Sequence, residues 1–221
     1  MSDNDVPPPK EKLEIRVYSR PDGDHPIYAA VGNIAAEWAY FEHVLDQIIG
    51  DLLDNIDNAR IACMTAQIMG AAPRYRAIIA LLKLEESLPR KADSSPAPDS
   101  LINKVNSLQN RTYDIADRRN RIVHDPWYVQ PTNDQPSQFR SMPSKEPRYG
   151  MKDVDRAYLS ETYEKIVDLV VEASKLRVSV CNALASWRGK PPPPQPPTPE
   201  EMAHSREILR EFLARIGPSQ G

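Results

Sequence analysis

Residues 101–124 read LINKVNSLQNRTYDIADRRNRIVH, and this stretch decides the fold. Taken at 100° per residue from Leu101, the positions Leu101, Val105, Leu108, Thr112, Ile115 and Val123 fall on one stripe, the pattern of an amphipathic helix that buries one side. Asp99 is placed to cap its start, and Pro126 biases Asp125 out of the helical region, so a helix is expected from about Asp99 to His124. Arg119 falls at the centre of the stripe, a core position given a cation. A buried guanidinium is costly without a partner, which leaves two readings. Either a carboxylate such as Glu37 or Glu42 reaches it, or it lines a cavity that admits an anion.

Upstream, Ile27, Ala30, Ile34, Trp38, Phe41, Leu45, Ile48 and Leu52 recur at helical spacing and give one long helix with a core face. A second helix is expected from about Asn58 to Met69, and Pro73 marks the first turn of a third that continues through Ile78, Leu81, Leu82 and Leu88. Lys91 to Asp99, rich in Ser, Pro and Asp, is a loop. Downstream, the pattern changes to short extended pieces, Trp127 to Gln130, Gln138 to Arg140 and Arg148 to Met151, separated by turn residues, which predicts a small hairpin or meander. From Ser160 a long helix returns with Ile166, Leu169, Val170, Ala173, Leu176, Val180, Leu184 and Trp187 on one face, ending at Gly189.

The expected fold class is therefore all-α: an up-and-down bundle of about five helices with a small β insertion, followed by a separate helix. The domain plan places a loosely attached arm at 1–25, where Leu13 to Tyr18 alternates as an edge strand would. The bundle spans 26–189 with the insertion at 127–155. A polyproline linker follows at 190–197, then a C-terminal amphipathic helix at 198–221, opened by the capping box Thr198-Pro199-Glu200-Glu201.

With 221 residues and 40% apolar content the chain can bury one substantial core. A formal net charge of -3 excludes a globally basic protein that coats nucleic acid, so any such binding must be local. Cys63 and Cys181 are lone thiols without C-x-x-C spacing, so no zinc knuckle can be built and a reducing cytoplasm is the simplest compartment. No run approaches the roughly 18 apolar residues of a membrane span, and the acidic, proline-rich N-terminus has no signal-peptide core. Carboxylates and histidines have no metal-ligand spacing, so neither a metal nor another cofactor is expected, and a metal-independent mechanism is preferred.

Arg119-Asn120-Arg121-Ile122-Val123-His124, followed by Asp125-Pro126-Trp127, puts a cation, an amide and an imidazole at the end of one helix. The segment resembles the Arg-Asn-x-x-x-His signature of the HEPN superfamily, all-helical domains that include metal-independent ribonucleases as well as inert or nucleotide-binding relatives. The resemblance covers the motif tightly and residues 27 to 187 loosely. It implies catalytic roles for Arg119, Asn120 and His124, a site assembled across a homodimer with the motif helices facing each other, RNA as substrate, and a toxin-like or defence role.

The residue chemistry agrees with that expectation. Attack of an RNA 2′-hydroxyl on its own phosphate needs a base, an acid for the leaving 5′-oxygen, and cationic donors on the nonbridging oxygens. His124 can transfer protons near neutral pH, Arg119 can grip a phosphate bidentately, and Asn120 can orient the imidazole or a phosphate oxygen. Asn120 and His124 share a face about 40° wide with Tyr113 and Gln109, whereas Arg119 and His124 are separated by roughly 140° on an ideal helix. Arginine's long reach, loosening of the last turn before Pro126, or a second copy of the motif from a two-fold partner could bring the two onto one phosphate, and the resemblance implies the third. Arg118 and Arg121, on the opposite solvated side, together with Trp127 and Tyr128, are the candidate RNA contacts, although a solvated helix end favoured by the macrodipole and an ordinary insertion explain them without any function. The insertion's Arg140, Arg148 and Lys152 could flank the site and clamp a nucleotide. His25, His43 and His204 read as surface residues. The alternative function is an inert nucleotide-binding, dimerisation or scaffold module, in which the polyproline arm and C-terminal helix recruit a protein partner or inhibitor.

Overall fold

In the computed structural model, residues 17–53, 57–88, 97–142 and 148–188 are described. Most of them are helical: the elements in chain order are α1 (Pro26–Leu52), α2 (Asn58–Thr65), α3 (Ala71–Ser87), α4 (Pro98–His124), then a short run of strands, β1 (Trp127–Val129), β2 (Pro136–Met142) and β3 (Arg148–Asp153), and finally α5 (Arg156–Arg188). The expected mostly helical chain with a small sheet is what forms. The polyproline segment, the C-terminal helix at 198–221, His204 and most of the alternating stretch from Leu13 lie outside the described residues. No described helix is long and apolar enough to cross a membrane.

The chain divides into two compact units, one of residues 1–35 and 117–164 and the other of residues 36–116 and 165–221. In the second, the buried side chains are the helical stripes anticipated from the spacing: Trp38, Phe41, Leu45, Ile48 and Leu52 of α1, Leu101, Val105 and Leu108 of α4, and Ile166, Leu169, Val170, Ala173 and Val180 of α5. Polar pairs lock these helices together. Arg74 of α3 grips Asp46 of α1 through Nε (2.7 Å) and Nη2 (3.2 Å), Arg177 of α5 grips Asp51 of α1 through Nε at 2.6 Å, and Arg188 of α5 meets the buried Glu85 of α3. Tyr75 and Thr112, both buried, share a 2.8 Å hydrogen bond between α3 and α4.

The first unit holds the antiparallel meander, ordered β1-β2-β3, with Trp127 opposite Gln138 and Phe139 opposite Met151. Ser19 bridges to Val129 through both backbone groups (3.0 and 2.9 Å), so the near end of the N-terminal arm is hydrogen-bonded along the outer edge of β1. The alternation at Val17 and Tyr18 leads into a real bridge.

Three element boundaries shift, each for a physical reason, and one core position changes. α4 begins at Pro98, whose fixed φ suits the first helical position, so Asp99 sits in the first turn and does not cap it. α2 stops at Thr65, because Gln67 and Ile68 close three-residue turns onto Met64 O and Thr65 O ahead of Gly70, whose φ of 79° is the left-handed geometry glycine permits, and which caps α3. α5 starts at Arg156, since the Asp155 carboxylate accepts from Tyr158 N at 2.6 Å and supplies the cap one turn before Ser160. In α4 the buried residue of the last turn is Ile122, with Val123 only half-buried.

Candidate functional site

The end of α4 is built by its neighbours in the first unit. The last carbonyls of a helix have no intrahelical donor, and here side chains from the strands supply two. The Trp127 indole donates to Ile122 O at 2.8 Å, and the Gln138 amide donates to Arg121 O at 3.0 Å. Asp125 N also bonds to Arg121 O at 2.9 Å, and Phe139 N reaches Pro126 O at 3.1 Å. Both capping side chains are buried. The motif-bearing turn is therefore pinned to β1 and β2, and its side chains project from a fixed platform.

On that platform Arg119 is half-buried, between the buried Ile115 and Ile122 of the same stripe. The expected core position is thus a margin. Its Nη1 donates to Asn120 Oδ1 at 3.0 Å, so the amide orients the guanidinium of its neighbour. Glu42, one of the two acids anticipated as a partner for Arg119, accepts from Trp38 Nε1 at 2.8 Å and lies 3.6 Å from Arg74 Nη1. Asn120 and His124 are both exposed. Among the described residues no hydrogen bond or ion pair holds the His124 ring, so the structure brings Arg119 and Asn120 together and leaves the imidazole facing solvent. Further back along α4, Gln109 donates to Tyr113 Oη at 2.7 Å, and Tyr113 is exposed.

The four candidate RNA contacts separate. Trp127 is buried with its indole N–H engaged, so its ring serves the core and is not presented for stacking. Tyr128 is half-buried. Arg121 pairs with Asp117 one turn back at 3.2 Å, an exposed contact of little energetic weight. Arg118 lies 3.5 Å from Glu161 of α5, and its guanidinium carbon sits 5.6 Å from the centre of the Tyr158 ring.

The arginine of β2 converges on the same tyrosine. Arg140 lies 5.7 Å from the Tyr158 ring centre and donates through Nη2 to Gln138 Oε1 at 3.0 Å. Its Nε is buried and meets no acceptor among the described residues. Arg140 was legible as part of a basic insertion, but Tyr158 and Glu161 were not. Nothing in the spacing of α5 singles them out, because their roles come from a helix start the apolar periodicity does not mark.

The same unit also contains an open cavity of about 860 Å³, lined by His25, Ile27, Asn33, Asp134, Arg156 and Tyr163 among others. His25 is not a simple surface residue. Its Nδ1 accepts from Ile27 N at 3.1 Å, capping α1, and its Nε2 lies 3.3 Å from Asp134. Both ring nitrogens are engaged, which leaves neither available as a base. Asp134 adopts a φ of 55° in the turn before β2, a geometry that short acidic side chains tolerate. His43, by contrast, is exposed as expected.

Comparison with protein-family models, with curated proteins and with solved structures returns no match to this chain. The HEPN resemblance rests on the motif residues themselves.

Proposed function

We propose that this chain is a metal-independent RNA endonuclease of the HEPN type, its helices packed as an up-and-down bundle and its site assembled from two copies of the α4 end across a homodimer, in a toxin-like or defence role. The supporting observation is the division of labour on the last turns of α4: Asn120 holds the Arg119 guanidinium while His124, one turn on, stays exposed. With Oδ1 accepting from Arg119, the Asn120 amide N–H groups are directed to a phosphate oxygen, beside the planar donor fork of Arg119. One imidazole cannot be base and acid in the same step. Two facing copies of His124 take one role each, the base removing the 2′-hydroxyl proton and the acid protonating the 5′-oxygen as the P–O bond breaks. Trp127 has no place at this site, its ring being part of the core.

The test is incubation of the purified protein with mixed RNA in excess chelator. Cleavage to 2′,3′-cyclic phosphate ends is expected, abolished in His124→Ala. Because His124 is exposed, that variant should keep its stability to within about 0.5 kcal/mol. His124→Ala protein mixed with wild type so that their subunits exchange should pull activity down toward the fraction of wild-type homodimer, because a mixed dimer holds a single imidazole, and light scattering should report a dimer. Intact RNA with wild-type protein across RNA classes would sink the reading in favour of an inert nucleotide-binding or scaffold module. Activity in a stable monomer would remove the shared site.

A further inference from the structure

Three elements of the first unit bring two guanidinium groups onto one aromatic ring. Arg118 comes from α4, Arg140 from β2, and the ring is Tyr158 at the start of α5. Glu161 lies 3.5 Å from Arg118 and offsets part of its charge. Among the described residues Arg140 is held by the neutral amide of Gln138 and the tyrosine face alone, with its Nε buried and lacking an acceptor. Bringing two like charges to one ring is unfavourable, and a buried donor without an acceptor adds a desolvation penalty. An anion with several oxygens relieves the first of these, accepting from both guanidinium groups across the ring. The fork of Arg140 is preset by Gln138, which is fully buried and also caps α4. The cluster is thereby fixed to the same platform as the motif.

We infer that Arg118, Tyr158 and Arg140 form a clamp for a backbone phosphate of single-stranded RNA, a positioning subsite separate from the phosphate that is cut. The inference rests on the RNA reading above and extends it to residues that the motif does not contain. A phosphate contact carries no base information, so the clamp sets register and affinity and leaves sequence preference untouched. Glu161 offsets part of the charge of Arg118, so Arg140 contributes the larger share.

Binding can be read without catalysis. In the His124→Ala protein, the affinity for a short fluorescein-labelled single-stranded RNA is measured by anisotropy over a salt series. Replacing Arg140 with Gln should weaken binding about tenfold at low salt and reduce the slope of log K against log salt by about 1, with Arg118→Gln giving a smaller loss in the same direction. Arg140→Lys, which keeps the charge and loses the fork, should restore the slope but only part of the affinity. Two variants on different elements keep the test decisive if one folds poorly, as judged by its circular dichroism melt. RNA binding with an unchanged salt slope in both variants overturns the clamp, even where wild type cleaves. A full Arg140 dependence with no wild-type cleavage keeps the clamp and sinks only the nuclease. An acidic peptide that displaces the RNA at equal charge would assign the cluster to a protein partner instead, and absence of any RNA binding would overturn it outright.

Discussion

In the second unit, Arg74, Arg177 and Arg188 each close on a carboxylate from another helix, and in each pair at least one member is largely withdrawn from solvent. In the first, Arg118 and Arg140 share a tyrosine ring, and Arg119 leans on the amide of Asn120. The same side chain does opposite work in the two places. Where guanidinium and carboxylate meet one to one, the charge is internal to the fold and breaking the pair exposes the folding energy. Where a guanidinium meets an amide and a ring, as Arg140 meets Gln138 and Tyr158, no carboxylate among the described residues closes on it, which is how a protein of negative net charge would offer the anion clamp proposed above.

Breaking a pair on each side is the largest test of that contrast. Glu85→Ala leaves the Arg188 guanidinium without its carboxylate at a buried position, and the unfolding free energy from urea titration should fall by roughly 3 to 5 kcal/mol. Arg140→Gln removes a partly exposed cation held by weak contacts, and the loss should stay below about 1 kcal/mol. Equal losses in the two variants would erase the distinction and make Arg140 a structural residue.

A smaller effect sharpens how the second unit satisfies its buried polar groups. Thr112 Oγ1 donates its single hydrogen to Leu108 O at 2.8 Å, so Tyr75 must be the donor in the 2.8 Å contact with Thr112. Burial, the dominant influence, holds the Tyr75 phenol well above its ordinary titration range, so it keeps that proton. Thr112→Val then strands a buried hydroxyl donor and should cost about 1 to 3 kcal/mol, whereas Tyr75→Phe removes the donor itself and should cost about 1 kcal/mol. Thermal melts of the two variants decide it. The reverse order would mean that the proton runs from Thr112 to Tyr75.

What was legible in the chain follows from what periodicity can carry. The stripes of α1, α4 and α5 depend on local spacing, and the buried residues fall where 100° steps put them, from Ile34 to Ile48 and from Leu101 to Ile115. The pattern fails at element ends, where one capping side chain outweighs periodicity, as Asp155 does for α5. It fails again at the end of α4. The strands pack there, Ile122 is buried in place of Val123, and Arg119 lies at the stripe's margin. The motif itself was readable as Arg119, Asn120 and His124, but the Arg119–Asn120 hydrogen bond was not, because an i, i+1 contact has no place in face-by-face reading. The Tyr158 cluster was out of reach for a different reason. Its members are 18 to 40 positions apart on three elements, and only tertiary packing makes them neighbours.

The smallest expected effect concerns the two thiols, and it probes whether the second unit is as closed around α5 as its ion pairs imply. Cys181 donates to Asp51 Oδ2 at 3.3 Å, beside the Arg177 pair, and burial followed by the nearby Asp51 charge pushes its thiol up to about 12. Cys63 on α2 is exposed. The thiolate is the nucleophile, and an ordinary thiol titrates near about 8.5, so at pH 8 Cys181 should be alkylated by iodoacetamide orders of magnitude more slowly than Cys63. A raised acid in the folded state contributes stability that is complete below the unfolded value near about 8.5 and is lost as pH climbs toward 12, so the melting temperature should decline through that window. Peptide mass spectrometry of a timed alkylation reads the rates directly. If Cys181 in the folded protein reacts as fast as Cys63, then α5 opens at Asp51, and the tightly paired character assigned to the second unit does not hold there.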